Sequence, residues 1–247
     1  MRGYDPSYNP EDKKSYSRYT FHFIENALEK HRLKDKMGHL VTTIIFDSLI
    51  GNGDRHQENW GFIIPTFKSK NGEIEEIKIK SRSQSPEIIP KKLAYDMRGK
   101  DFSKTKPRAI NTIMNLVGGD FAPIYDSGSS LGRELTDKKV NSMLSNIHEL
   151  ESYVNRDQCE IRWNNEYKKI SHFDLIKQIK EKTVYKEIVE VAVRRVTEIY
   201  NEENIKEIII NIDEKLPETL YQHKLSNNRK KLIEKLVLLR LDRLKQV

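Results

Sequence analysis

The sequence predicts an α+β fold that is mostly α-helical, with a small β-hairpin between an N-terminal and a C-terminal helical part. Three observations carry this. Apolar residues recur at helical spacing from about residue 11 to 48, and again from about 136 to the C-terminus. Between them, the apolar run Trp60-Gly61-Phe62-Ile63-Ile64 and the pair Asn71-Gly72 read as a strand and a two-residue hairpin turn. The chain is 36% hydrophobic and 33% charged over 247 residues, long enough for a sizeable core. No apolar run reaches the length of a transmembrane helix, so no membrane role is expected.

Residues 1–11 carry Pro6 and Pro10 and no periodic pattern, and are expected to be disordered or extended, with a single domain over 12–247. A helix is expected from Glu11 or Asp12 to about His31, with Tyr16, Tyr19, Phe23, Ile24, Ala27 and Leu28 on one face. A second spans about Lys34 to Ser48 through Met37, Leu40, Val41, Ile44 and Ile45, and Gly51 closes it as a C-terminal glycine. A strand from Trp60 to Phe67 then pairs with Glu73 to Lys80. The stretch Ser81 to Pro86 breaks regular structure; Leu93 to Met97 reads as a short strand, and Pro107 opens a helix closed by Gly118-Gly119. From Thr136 onward the pattern gives helices over 136–154, 171–180, 182–200, 203–212 and 226–246. The last has a stripe through Leu232, Ile233, Leu236, Val237, Leu241 and Leu244, with Ser226 or Asn227 as N-cap.

Charge is localised. The net charge is +7, and the segment Lys78 to Arg108 holds ten Lys or Arg against three acids, which is the whole excess. This basic insertion, within about 68–120, is read first as a solvated loop. It leaves nucleic acid as a partner only indirectly or through that insertion, and its only aromatics, Tyr95 and Phe102, are few for base stacking. The N-terminus has no signal-peptide core, and the single cysteine, Cys159, excludes an internal disulfide and a Cys-rich zinc site. A reducing, cytoplasmic setting is expected. Cys159 has no obvious thiolate-stabilising partner and is not expected to be a nucleophile.

The densest polar cluster is Gly51-Asn52-Gly53-Asp54-Arg55-His56-Gln57-Glu58-Asn59-Trp60, set between an apolar helix and an apolar strand. An Asp and an Asn five residues apart on such a loop suit phosphoryl transfer: Asp54 can orient a hydroxyl nucleophile and the Asn59 amide oxygen can hold Mg²⁺. The plain alternative is an Asx-rich turn without chemistry. Downstream, Phe121-Ala122-Pro123-Ile124-Tyr125-Asp126-Ser127-Gly128-Ser129-Ser130 delivers a second carboxylate, Asp126, into a Gly/Ser turn, as a metal-bridging residue requires. Few hard oxygen ligands, with phosphates and water completing an octahedron, suit Mg²⁺.

The two stretches Leu49 to Phe62 and Ala122 to Ser129 together resemble the catalytic core of HipA-type serine/threonine kinases, most closely the bacterial CtkA-like branch. The resemblance covers about 40–65 and 120–150, and the helical tail in style only. It implies a kinase-like C-terminal lobe whose hairpin carries the metal site. Asp54 would be the catalytic residue, Asn59 and Asp126 the metal and cofactor-binding residues, ATP and Mg²⁺ the cofactors, and a protein serine or threonine hydroxyl the substrate. Leu93-Ala94-Tyr95-Asp96 is similar to the metal-Asp motif, but Asp126 fits it better through Pro123 and the turn that follows. Arg55 and His56 follow the catalytic Asp, whereas ordinary protein kinases place His-Arg before it. His56 is therefore expected to pin the loop by a hydrogen bond.

A kinase also needs a Gly-rich loop over the phosphates and a strand lysine. The residues before Gly51 contain only Gly3 and Gly38, and Lys30, Lys34 and Lys36 fall on helical segments. The ATP-binding N-terminal lobe is thus expected to be absent, the chain being a truncated or split kinase that needs a separate N-lobe. The resemblance also implies an antitoxin-like partner, since HipA-type kinases are often toxins held by a DNA-binding protein. Two other readings stand beside this one: a catalytically inactive interaction module acting through the basic insertion, and a phosphoinositide or small-molecule kinase, since the Asp-Arg-His-x-x-Asn string is also similar to phosphoinositide kinases.

Overall fold

The computed structural model describes residues 4–9, 11–63, 66–70, 73–79, 87–88, 120–166 and 168–247, with 66–70, 73–79 and 87–88 as backbone. The expectations for Asn71-Gly72, for Ser81 to Pro86, for Leu93 to Met97 with Asp96, and for the helix from Pro107 to Gly119 lie outside these residues. The helices in chain order are α1 (Lys13–Tyr16), α2 (Phe21–Lys30), α3 (Met37–Ile50), α4 (Asp137–Ser145), α5 (Ile147–Asn155), α6 (His172–Glu181), α7 (Thr183–Ile199), α8 (Glu202–Asn211) and α9 (Asn227–Leu244). The strands are β1 (Phe62–Ile63), β2 (Thr66–Lys70), β3 (Glu73–Ile79), β4 (Glu87–Ile88) and β5 (Asp120–Phe121). No described helix is long and apolar enough to cross a membrane.

The chain divides into two compact units. The first comprises Met1–Asn9, His22–Met37 and Trp60–Pro123. In it β1 pairs antiparallel with β5, Phe62 opposite Phe121, and β2, β3 and β4 form an antiparallel sheet in that order. Lys70 stands opposite Glu73, the register of a two-residue connection, and a bulge shifts the pairing between Lys68 and Ser69. Of the strand expected from Trp60 to Phe67, β1 pairs with β5 and β2 with β3, while 64–65 lie outside the described residues. Aromatic packing holds β1 to β5: the Trp60 and Phe121 rings stack at 5.8 Å and Phe62 meets Phe121 edge-on at 5.7 Å. Residues 4–9 form no helix or strand, yet Tyr8 is 2% exposed, with its ring 5.0 Å from that of Phe23.

The second unit comprises Pro10–Phe21, Gly38–Asn59 and Ile124–Val247, and is helical. Its core is built from Leu40, Val41, Ile44 and Ile45 of α3, Leu175, Ile176 and Ile179 of α6, and Leu232, Leu236 and Leu244 of α9. Helix α9 packs against α4, α5, α7 and α8, and α6 packs along α7. Ser226 caps α9 by accepting the Arg229 N–H at 3.2 Å.

Two helical expectations are corrected. The helix from Asp12 to His31 is broken at 17–20, where Thr20 bridges to Arg162: Arg162 N–H donates to Tyr19 O at 3.0 Å and Phe21 N–H to Arg162 O at 2.8 Å. A strand-like bridge to a distant segment here overrides local helical periodicity. The helix over 136–154 is two helices, broken at Asn146, whose extended backbone (φ −132°, ψ 102°) lets its side chain accept the His148 and Glu149 N–H groups and cap α5.

Candidate active site

Helix α3 ends at Gly51, whose φ of +68° is a left-handed conformation that glycine adopts without strain. A side chain there would also collide with the Arg240 guanidinium, 2.5 Å from where a Cβ would sit. At Gly53 a Cβ would lie 2.8 Å from the Gln158 carbonyl oxygen. Both glycines are therefore required by close approach, and they set the path of the loop that carries Asp54 and Asn59.

The loop rests on a buried polar floor. Asp47, 1% exposed near the end of α3, takes both ends of a carboxylate–guanidinium fork from Arg55, Nε to Oδ2 and Nη2 to Oδ1, each at 2.8 Å. Asp47 Oδ1 also accepts from Asn52 Nδ2 at 3.1 Å. The remaining Arg55 donors reach further: Nη1 to the carbonyls of Asn59 at 2.7 Å and Tyr125 at 2.6 Å, and Nη2 to Ser127 Oγ at 3.1 Å. All five N–H groups of one guanidinium are thereby used. Burial alone would lower the Arg55 pKa, but Asp47, with smaller contributions from Tyr19 and Asp126, raises it above its usual value.

This one side chain joins the two sequence motifs. Asn59 and Tyr125, the residue before Asp126, hang from the same nitrogen. The Tyr125 hydroxyl donates to Glu58 O at 2.6 Å, and Leu131 N–H donates to Ile50 O at 2.9 Å, closing the second segment onto the first. Asp126 lies in the left-handed region at φ +52°, uncommon for a residue with a side chain.

The three candidate residues differ in their surroundings. The carboxylates of Asp54 and Asp126 are exposed and make no hydrogen bond or ion pair among the described residues. Asn59 is 3% exposed; its Nδ2 donates to Asp54 O at 2.7 Å, which fixes the amide orientation and leaves Oδ1 without a protein donor among the described residues. A neutral amide oxygen and a carboxylate are hard donors and fit Mg²⁺. Among the described residues no three His, Cys, Asp or Glu side chains cluster as a metal site, so this pair would need phosphate oxygens and water to complete a shell. His56 Nδ1 accepts the Glu58 N–H at 3.3 Å, the loop-pinning contact expected of it.

Sequence reasoning missed the second layer of support. His172, at the start of α6, places Nε2 3.1 Å from Asn52 O and Nδ1 3.0 Å from Asp157 Oδ2. A carbonyl can only accept, so Nε2 is the donor to Asn52 O. Arg240 of α9 donates from Nη1 to Asp157 Oδ2 at 2.6 Å and to Ser48 O at 3.3 Å. Burial would push the Asp157 carboxyl up, but His172 and Arg240 together hold it down at about 2. Asp47 could have been noticed as a charge inside the apolar run Ile44 to Ile50. His172, Asp157 and Arg240 lie far apart in sequence and carry no local signal. Cys159 is 4% exposed, and burial raises its thiol well above the usual range, so it stays protonated.

No family model matches this chain, and no curated protein matches it. Among solved structures, the chain is similar to the crystal structure of a Helicobacter pylori proinflammatory kinase, CtkA. The TM-score is 0.55 at 20% identity, over 91% of this chain and 57% of that chain. At that identity the likeness is one of fold: the chain has a kinase-like fold, and it spans 57% of the length of that kinase.

Proposed function

We propose that this chain is the catalytic lobe of a HipA-like kinase, transferring the γ-phosphoryl group of ATP to a protein serine or threonine hydroxyl. The observation that carries the reading is the Arg55 guanidinium, which binds the carbonyls of Asn59 and Tyr125 through one nitrogen and so sets the two motifs beside each other. Asp54 accepts the hydroxyl hydrogen bond and takes its proton as the oxygen attacks the γ-phosphorus; the bond to the β-phosphate oxygen breaks and ADP leaves. Asn59 Oδ1 and the Asp126 carboxylate would hold Mg²⁺, which would offset the charge of the triphosphate. Asn59 is preset for this by its Nδ2 bond to Asp54 O, which also couples the metal ligand to the base. The Asp47–Arg55 pair keeps both segments in register without touching substrate.

In this reading the groups that cover the triphosphate come from a nucleotide lobe outside these 247 residues. The test is phosphate incorporation from radiolabelled ATP. The purified chain alone is expected to give none above background, and the chain isolated from its host with its co-purifying partners is expected to label serine or threonine. Robust transfer by the purified chain, abolished by Asp54→Ala, would show that no further lobe is needed.

A further inference from the structure

A cleft of about 770 Å³ opens beside the catalytic loop, within the helical unit. Gly53, next to Asp54, and Ser129, just beyond Asp126, form part of its wall. Its charged lining is uneven. Lys139 is committed to Glu149, and Arg240 to Asp157. Arg133 and Arg156 are exposed and have no carboxylate within ion-pair distance among the described residues. Arg133 makes one long contact, Nη1 to Gly128 O at 3.4 Å; Arg156 donates only Nε, to Ser152 O at 3.2 Å. Most of the donors on both guanidiniums stay open, and the Ser129 hydroxyl has no partner among the described residues. Glu134, which accepts the Tyr153 hydroxyl at 2.7 Å, opposes them, and Glu149, held by Lys139, also feels the Arg156 charge. The lining is left net positive.

We propose that this cleft reads an anionic side chain (Asp, Glu or phosphoserine) of the protein substrate, near the accepting hydroxyl. The proposal rests on the kinase reading above, since it is Asp54 that fixes where the hydroxyl sits. Guanidinium forks match carboxylate and phosphate in shape as well as charge, and two of them with a serine hydroxyl beside them form a donor set for such a group. A concave volume of this size accepts a side chain or two of a peptide rather than a flat surface. A peptide whose hydroxyl lies at Asp54 carries its neighbours past Gly53 and over the cleft.

The experiment measures binding without nucleotide, so its outcome does not depend on phosphoryl transfer. Fluorescein-labelled peptides with a central serine flanked by Glu, by phosphoserine or by Gln are titrated with the whole chain and followed by anisotropy. Glu and phosphoserine peptides are expected to bind about tenfold more tightly than the Gln peptide, the scale of two partly exposed ion pairs. R133E/R156E is expected to erase the difference, while the charge-matched K186E/R195E on α7 keeps it. Equal binding of all three peptides, or equal loss in both double variants, overturns the proposal. If the cleft reading alone fails, the complex isolated from the host still transfers phosphate, without preference for acidic flanks. If the kinase reading alone fails, acidic-peptide binding persists while that complex gives no transfer.

Discussion

The Arg55 guanidinium lies 2.6 Å from the carbonyl oxygen of Tyr125, a contact that spans 70 residues of sequence and joins the loop of Asp54 to the turn of Asp126. The same group satisfies Asp47, which is 1% exposed. A lysine offers three donors on a point charge and cannot reproduce five fixed ones. Arg55→Ala is expected to cost about 3–5 kcal/mol, because it leaves the Asp47 carboxylate buried and unpaired, and to lower Tm by about 10 °C in thermal unfolding. Arg55→Lys should recover less than half of that loss.

Asp126 holds a left-handed backbone, at φ +52°. Replacement should separate strain from chemistry. Asp126→Gly is expected to leave Tm unchanged or to raise it slightly, by relieving about 1 kcal/mol of backbone strain. Asp126→Ala keeps the strain and should not stabilise. Both should abolish transfer of labelled phosphate by the complex isolated with its partners from the host.

Gly51 and Arg240 meet in the buried floor. Gly51→Ala is expected to destabilise by about 2 kcal/mol, from the positive φ and from displacement of the guanidinium. In the double variant with Arg240→Ala the clash is gone, so its loss should be smaller than the sum of the two single losses. Strict additivity in denaturant unfolding would show that the guanidinium is not what Gly51 makes room for.

The Asp157 carboxyl gives a pH signature. Its pKa in the fold, about 2, lies below the ordinary carboxylate value of 3.8. The stability it contributes is therefore fully present above about pH 4 and is lost as pH falls through about 2. The size is on the order of 2 kcal/mol. Asp157→Asn should flatten the acid limb of a stability-versus-pH curve by about that amount over this window. A limb identical to that of the unaltered chain would remove His172 and Arg240 as partners that matter.

Local signals in the sequence carried much of this structure. Ser226 before an apolar stripe marks the start of α9, and Gly51 after another marks the end of α3, because caps and left-handed glycines act within one turn. The split at Asn146 was also legible: Asn146 and Glu149 stand in capping spacing, but the apolar periodicity running through them masked it. The break at Thr20 was not, since its partner Arg162 is distant in sequence. The site divides in the same way. Asp54, Asn59 and Asp126 stand out by motif. The side chains that hold them, Arg55 on Asp47 and His172 with Arg240 on Asp157, become visible only when α3, α6 and α9 are seen to converge beneath one loop.

In the proposed reaction Asp54 acts on a hydroxyl beside a metal held by Asn59 and Asp126. The most direct measurement is labelled-phosphate transfer by the chain isolated with its partners from its own host, beside Asp54→Ala prepared in the same way. Asp54 is exposed and its carboxylate has no partner among the described residues, so the variant is expected to keep the Tm of the unaltered chain while losing transfer by at least about 10²-fold. Transfer that survives Asp54→Ala unchanged, or its absence from the isolated complex altogether, would contradict the assignment.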